Sequence, residues 1–152
     1  MKLNDLESQG LIERVEPNLG NVKKALERAQ RDLKTARATL EIDEEWAYTI
    51  AYHAMLRAGR ALMVFLEYRP KGKDQHKTVG EFCSRVLGEE YRTLINKFHR
   101  MRQKRHRFVY EVESRISRTE AKDSIESAKR LTEGILRITK QKTEDLFKRY
   151  DP

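Results

Sequence analysis

The segment best suited to chemistry is a basic stretch at residues 97–107, KFHRMRQKRHR. It holds six Lys or Arg residues and two of the chain's four histidines, and it contains no acidic residue. Guanidinium groups suit phosphate binding, and histidine can move protons near neutral pH because its unperturbed pKa is about 6.5. The stretch is therefore a candidate for binding phosphate and, through a histidine, for transferring a proton.

On a helix, the charges of this stretch divide into two sets. Four of them share one stripe, which is typical of a solvated basic face: Lys97, Arg100, Lys104 and Arg107. The apolar stripe of the same helix runs through Tyr91, Leu94, Phe98, Met101, position 105, Phe108 and Val112. Position 105 is an arginine, and a buried guanidinium is costly unless it is paired or reaches water. We expect Arg105 either to form a salt bridge with an acid on another helix or to project into a cleft that receives a phosphate.

Three segments carry a resemblance to a known family. They are the alanine-rich residues 46–55, the loop end at residues 75–77 and the block KRHRFVY at residues 104–110. From about residue 21 to residue 140, the chain resembles the HEPN family (higher eukaryote and prokaryote nucleotide-binding). That resemblance implies a small all-helical protein that dimerises so that two motifs line one cleft. It also implies a minimal nucleotidyltransferase as a partner, and metal-independent endoribonuclease activity in active members.

The family's hallmark is an arginine, usually followed at once by a polar residue, with a histidine after four to six intervening positions. By resemblance, Arg105 matches the arginine and His106 the polar residue, whereas Tyr110 stands where the histidine belongs. Tyrosine has an unperturbed pKa of about 10 and is poorly suited to proton transfer near neutral pH. The motif is therefore degraded, and we expect Arg105, His106, Tyr110 and Arg102 to bind phosphate with little or no catalysis.

Two other registers of the motif are possible. Five residues separate Arg100 from His106, which fits the family's range but puts Met101 where a polar residue belongs. Arg102 and His106 have only three intervening residues. If the protein is instead a ribonuclease, we expect His106 to move the proton and Arg100 or Arg102 to supply the cation.

The remaining reactive side chains have simpler interpretations. We expect His53 to be an interior or interface histidine, His76 to be exposed in a basic loop, and Cys83 to belong to the core. Trp46 and the pair Tyr48 and Tyr52 are expected to be core or dimer contacts rather than platforms for stacking bases. We expect no metal site and no cofactor, because no acid and histidine share a ligand spacing.

The positioning elements are predicted to be helices. Apolar residues recur at steps of three and four from Val22 to Leu40, and Asn21 is the predicted cap of this helix. A second helix is expected from Asp43 to about Glu67, a short third one ends at Gly88, and a fourth spans about residues 89–112. The spacing of Ser117 and Glu120 predicts a capping box and a fifth helix to about Tyr150. Residues 68–75 are predicted to be a loop.

Composition sets the class of protein. The 152 residues carry a net charge of +8, include 37% charged residues and one cysteine, and have no long apolar run. We therefore predict an all-α, up-and-down bundle of four to five helices, with a single domain at residues 19–150 after a short helix or frayed segment at residues 1–18. A cytoplasmic homodimer that binds a nucleotide or RNA in a toxin–antitoxin-like pair is the leading hypothesis. A pure protein-interaction module remains open.

Overall fold

A computed structural model describes residues 3–110 and 115–150, and the side chains of residues 108–110 and 144–150 are outside this description. The helices in these ranges are α1 (Leu3–Ser8), α2 (Leu19–Thr39), α3 (Glu44–Phe65), α4 (Gln75–Leu87), α5 (Arg92–Tyr110) and α6 (Arg118–Tyr150). A single 3-10 turn, Glu89–Tyr91, precedes α5, and strands β1 (Ile12–Arg14) and β2 (Tyr68–Pro70) complete the fold. The all-α prediction is confirmed, with α2 to α6 as the five predicted helices.

Helix α3 lies at the centre of the bundle. It packs against α2, α6, α4 and α5. Its small side chains are all buried and allow neighbouring helices to approach closely: Ala47, Ala51, Ala54, Ala58 and Ala61. The adjacent stripe is also largely buried and includes Tyr48, Tyr52, Met55 and Leu62. The bundle itself therefore covers the broad apolar arc of this helix.

Side-chain caps fix where the helices begin. Asp43 and Ser117 accept hydrogen bonds from the backbone N–H groups of Trp46 (2.9 Å) and Glu120 (3.1 Å), so both predicted caps are confirmed. The predicted cap Asn21 is wrong. Asn18 is the cap, and its Oδ1 accepts the backbone N–H of Asn21 at 3.0 Å.

The two short strands correct the loop predicted at residues 68–75. Tyr68–Pro70 pairs antiparallel with Ile12–Arg14, and Ile12 and Tyr68 are both buried. Three-residue strands are too short to show an alternating pattern, and the two strands lie far apart in the sequence. The first residues of the chain, whose order the sequence left open, thus contribute Leu6 and Ile12 to the core.

Helix α4 crosses α3 at a glycine. A Cβ added at Gly59 would lie 2.5 Å from Val79 Cγ1 and 3.2 Å from Cys83 Sγ, so only glycine allows this approach. Cys83 is buried, as predicted, and burial raises the pKa of its thiol to about 12.

Among the described helices, none is long and apolar enough to cross a membrane.

Candidate functional site

The candidate site lies where α5 crosses α3. Phe98 is buried against Tyr52, with ring centroids 5.2 Å apart and an interplanar angle of 17°. Two turns further along α5, the Arg105 guanidinium carbon lies 5.5 Å from the centroid of the same Tyr52 ring. Arg102 comes between these residues at steps of four and three, so it lies on the same side of the helix. The basic segment therefore reaches the centre of the bundle at one tyrosine.

Arg105 is half-buried, and it forms no ion pair with a carboxylate in the described part of the chain. Its Nε is buried and lacks a hydrogen-bond partner, and the same holds for Nε of Arg102. A buried donor without a partner costs about 1–3 kcal/mol, and more when it is charged. The contact with Tyr52 compensates Arg105 only in part, because a cation–π contact contributes about 0.5–2 kcal/mol. Both guanidinium groups are thus held in partly buried positions where the described residues compensate their charge incompletely.

A cleft of about 410 Å³ opens beside Arg105. It is lined by Asp43, Glu45, Trp46, Thr49, Ile50, His53 and Arg105. Trp46 was predicted to be a core or a dimer contact. Its surface is 62% exposed, so the core position is wrong, and the dimer contact stays a prediction. Trp46 lies on neither of the two apolar stripes of α3, and this position was the signal in the sequence that it points outward.

A partly buried hydrogen bond joins α3 to the start of α4. Tyr52 is fully buried, and its hydroxyl lies 2.8 Å from His76 Nδ1. The prediction that His76 is exposed in a loop is wrong, since it is half-buried in the first turn of α4. The helix begins directly after Asp74, which has a positive φ of 54°.

Burial and positive charge act together on the histidines of this region. For His53, burial lowers the pKa most, and Arg105 and Arg57 lower it further, while Asp32 opposes them. For His76, burial again comes first, followed by Arg60 and Arg105. Both imidazoles are therefore held toward their neutral forms. Burial raises the pKa of Tyr52 to about 12 in spite of the nearby arginines, so its hydroxyl remains protonated.

The opposite side of α5 has a different environment. Lys97 forms an ion pair with Asp123 at 3.0 Å, and Lys104 forms one with Glu120. These two lysines are half-buried against α6, so the predicted solvated stripe is wrong for them. Arg100 is exposed and, with Tyr48 and the two ion pairs, lines a separate cleft of about 250 Å³.

The predicted site residues are thus only partly brought together. Arg105 lines the cleft that also contains Trp46 and His53, and Arg102 lies on the same side of α5 as Arg105. His106 is exposed and does not line the cleft, because consecutive helical residues point about 100° apart. The side chain of Tyr110, the last residue of α5, is outside the described residues. Sequence reasoning missed Tyr52, His53 and His76, which come from α3 and α4 rather than from the motif.

In the described residues, no group of three His, Cys, Asp or Glu side chains could hold a metal ion.

Comparison with known proteins identifies the family. No curated protein and no solved structure gives a significant match. The family model of the HEPN domain matches residues 22–138, which is most of the chain. The match agrees with the all-helical fold and supports a nucleotide- or RNA-related function at the level of the family. The chain therefore belongs to the HEPN family.

Proposed function

We propose that this protein binds the phosphate of a nucleotide or RNA through Arg105, and that it is non-catalytic or weakly catalytic. The observation that supports this most is the half-buried Arg105 guanidinium, which lines a cleft without a carboxylate partner among the described residues. A phosphate bound in the cleft would compensate the partly desolvated charge of Arg105. The planar fork of arginine suits this contact, because it can donate two parallel hydrogen bonds to one phosphate.

Other groups extend the proposed phosphate site. Arg102 adds a second guanidinium on the same side of α5. Arg60 is close enough to His76 and Tyr52 for its positive charge to act on the pKa values of both side chains. His106 and Tyr110 are proposed to add hydrogen bonds, as the family motif implies. In this proposal the protein is a homodimer, acts in the cytoplasm and is the partner of a minimal nucleotidyltransferase in a toxin–antitoxin-like pair.

Binding of a labelled single-stranded RNA, followed by fluorescence anisotropy, tests the proposal. We expect Arg105→Gln to weaken binding about tenfold or more, since a hydrogen bond to a charged group contributes about 1.5–3 kcal/mol. Lys104→Gln is the matched control, because it removes one positive charge from the same helix on the α6 side. Equal losses in the two variants would show only general electrostatic attraction.

Salt dependence separates phosphate binding from a pure protein-interaction role. Several phosphate contacts make the affinity fall steeply as the salt concentration rises. Arg105→Gln should remove about one phosphate contact and so reduce the slope of log affinity against log salt concentration by about 1. Absence of RNA and nucleotide binding at physiological salt would instead favour an interaction module.

A metal-independent ribonuclease is the second candidate, and the neighbouring imidazoles His53 and His76 favour it. In such a reaction one imidazole accepts the proton of a 2′-hydroxyl, whose oxygen attacks the phosphorus. The 5′-oxygen leaves as the P–O bond breaks, and the imidazolium formed in the first step gives its proton to that oxygen. Arg105 would stabilise the developing charge.

Incubation of purified protein with RNA, in parallel with His106→Ala and His76→Gln, tests the ribonuclease. Loss of cleavage only in His106→Ala would support His106 with Arg100 or Arg102, the assignment that the motif suggests. Loss only in His76→Gln would move the proton transfer to α4. Absence of cleavage in the wild-type protein would favour binding alone.

A further inference from the structure

The exposed Trp46 stands in the same cleft as Arg105. It is the only tryptophan of the chain, and 62% of its surface is accessible although the ring is large and apolar. We propose that this cleft holds a nucleotide whose base stacks on Trp46 while its phosphate binds Arg105. This inference rests on the proposed function and adds what recognises the base.

The spacing along α3 supports this arrangement. Trp46, Ile50 and His53 occupy successive turns of one face, and the rise from position 46 to position 53 is about 10 Å. Arg105 approaches the His53 end, because its guanidinium lies against the ring of the neighbouring Tyr52. The aromatic ring and the cation are thus held about two helical turns apart in one cleft, a separation suited to a base and its phosphate on one ribose.

Charge fixes the direction in which such a ligand lies. Asp43 and Glu45 line the cleft at the Trp46 end, whereas Arg105 supplies the positive charge at the other end. The carboxylates repel a phosphate and accept hydrogen bonds from amino groups on a base. Both ends therefore favour the base on Trp46 and the phosphate on Arg105.

Stacking on an exposed aromatic ring does not require a particular base. A base stacked on an aromatic side chain contributes about 1–3 kcal/mol, and every base offers a π face. Thr49 and Ile50 form a mixed polar and apolar floor between the two ends. The cleft is therefore expected to accept purines and pyrimidines, with purines bound more tightly because their rings overlap the indole more.

The single tryptophan makes the test direct. We expect AMP to quench the intrinsic fluorescence in a saturable way, whereas ribose 5-phosphate, which lacks the base, binds more weakly and quenches little. By calorimetry, Trp46→Ala should weaken AMP binding at least fivefold, and Trp46→Phe should restore part of the loss. Ile42→Ala is the matched control, because Ile42 is 87% exposed close by and does not line the cleft.

The outcomes separate this inference from the proposed function. If Arg105→Gln weakens AMP or RNA binding while Trp46→Ala leaves both unchanged, the phosphate site stands and the stacking proposal is wrong. If neither AMP nor RNA binds the wild-type protein, both proposals fail. If Trp46→Ala converts a dimer to a monomer in sedimentation and the nucleotide-free emission depends on protein concentration, Trp46 is a subunit contact and the stacking proposal is overturned.

Discussion

The two sides of α5 carry similar side chains in opposite electrostatic settings. Toward α6, Lys97 and Lys104 are paired with Asp123 and Glu120. Toward α3 and α4, Arg102 and Arg105 meet a tyrosine and imidazoles, and within the described residues neither guanidinium has an ion-pair partner. One basic helix thus separates charge that is paired with α6 from charge that has no carboxylate partner among the described residues.

This difference shows why net charge alone says little about binding. The hydrogen bond from Lys104, more than any other effect, lowers the pKa of Glu120, so the charges on the α6 side already stabilise each other. On the other side, burial lowers the pKa of His76 and His53 most, and nearby arginines lower it further, so a protonated imidazole there would meet further positive charge. Among the described residues on this side, no carboxylate forms an ion pair with Arg102 or Arg105.

The largest expected effect comes from giving the α3 side of α5 a carboxylate like those on its α6 side. His53→Glu places a carboxylate beside Arg105 in the cleft, where it competes with phosphate for the guanidinium. We expect RNA affinity to fall at least tenfold, which is about 1.4 kcal/mol or more. His53→Gln is the neutral control and should retain most of the binding. Equal affinities in the two variants would contradict the role of Arg105 in binding.

A smaller effect is expected from the hydrogen bond beneath the arginines. Tyr52→Phe removes the hydroxyl and leaves His76 Nδ1 unpaired, so the free energy of unfolding should fall by about 1–2 kcal/mol. A double-mutant cycle with His76→Gln, measured by denaturant unfolding, isolates the coupling between the two side chains. Additive losses would mean that the hydrogen bond contributes nothing.

The pH dependence of stability sharpens the comparison further. Because the folded-state pKa of His76 is below its unfolded value, the unfolded chain binds more protons as the pH falls below about 6.5. The contribution of neutral His76 is present above that pH and decreases as the pH falls toward the folded pKa. His53 and His99 act in the same direction.

Melting temperatures at pH 7.5 and pH 5.5 measure this effect. We expect the wild-type protein to melt at a lower temperature at pH 5.5, with a smaller difference in His76→Gln. His106→Gln serves as the control for removing one histidine elsewhere. A saturating phosphate ligand should narrow the wild-type difference, because it supplies the missing negative charge.

The smallest effect is expected on the α6 side. Glu120→Gln and Asp123→Asn each remove one partly exposed ion pair, which contributes about 0.2–1 kcal/mol. RNA binding should change little or strengthen slightly, because a lysine is released. For Glu120 the pairing is lost only as the pH falls below its ordinary value of 4.5, well below the histidine range. A large loss of RNA binding in either variant would contradict the division between the two sides.

Local patterns predicted most of the fold. The helical periodicity and the caps at Asp43 and Ser117 depend on residues within a few positions of each other, so they can be read directly. The pair of strands and the burial of His76 could not be predicted in this way, because their partners come from distant segments. The sequence could not decide between a core position and a subunit contact for Trp46, because an aromatic residue beside two apolar stripes fits either.

The sequence by itself determined an all-helical chain, its family and one arginine where the pattern calls for an apolar residue. Only the tertiary structure decided which groups meet that arginine. The Tyr52 hydroxyl and His76 are 24 residues apart, and their contact depends on how α3, α4 and α5 pack. The electrostatic free energy of a buried charge depends mainly on the groups within a few ångströms of it. Because of that packing, Arg105 is a candidate ligand-binding residue and forms no ion pair with a described carboxylate.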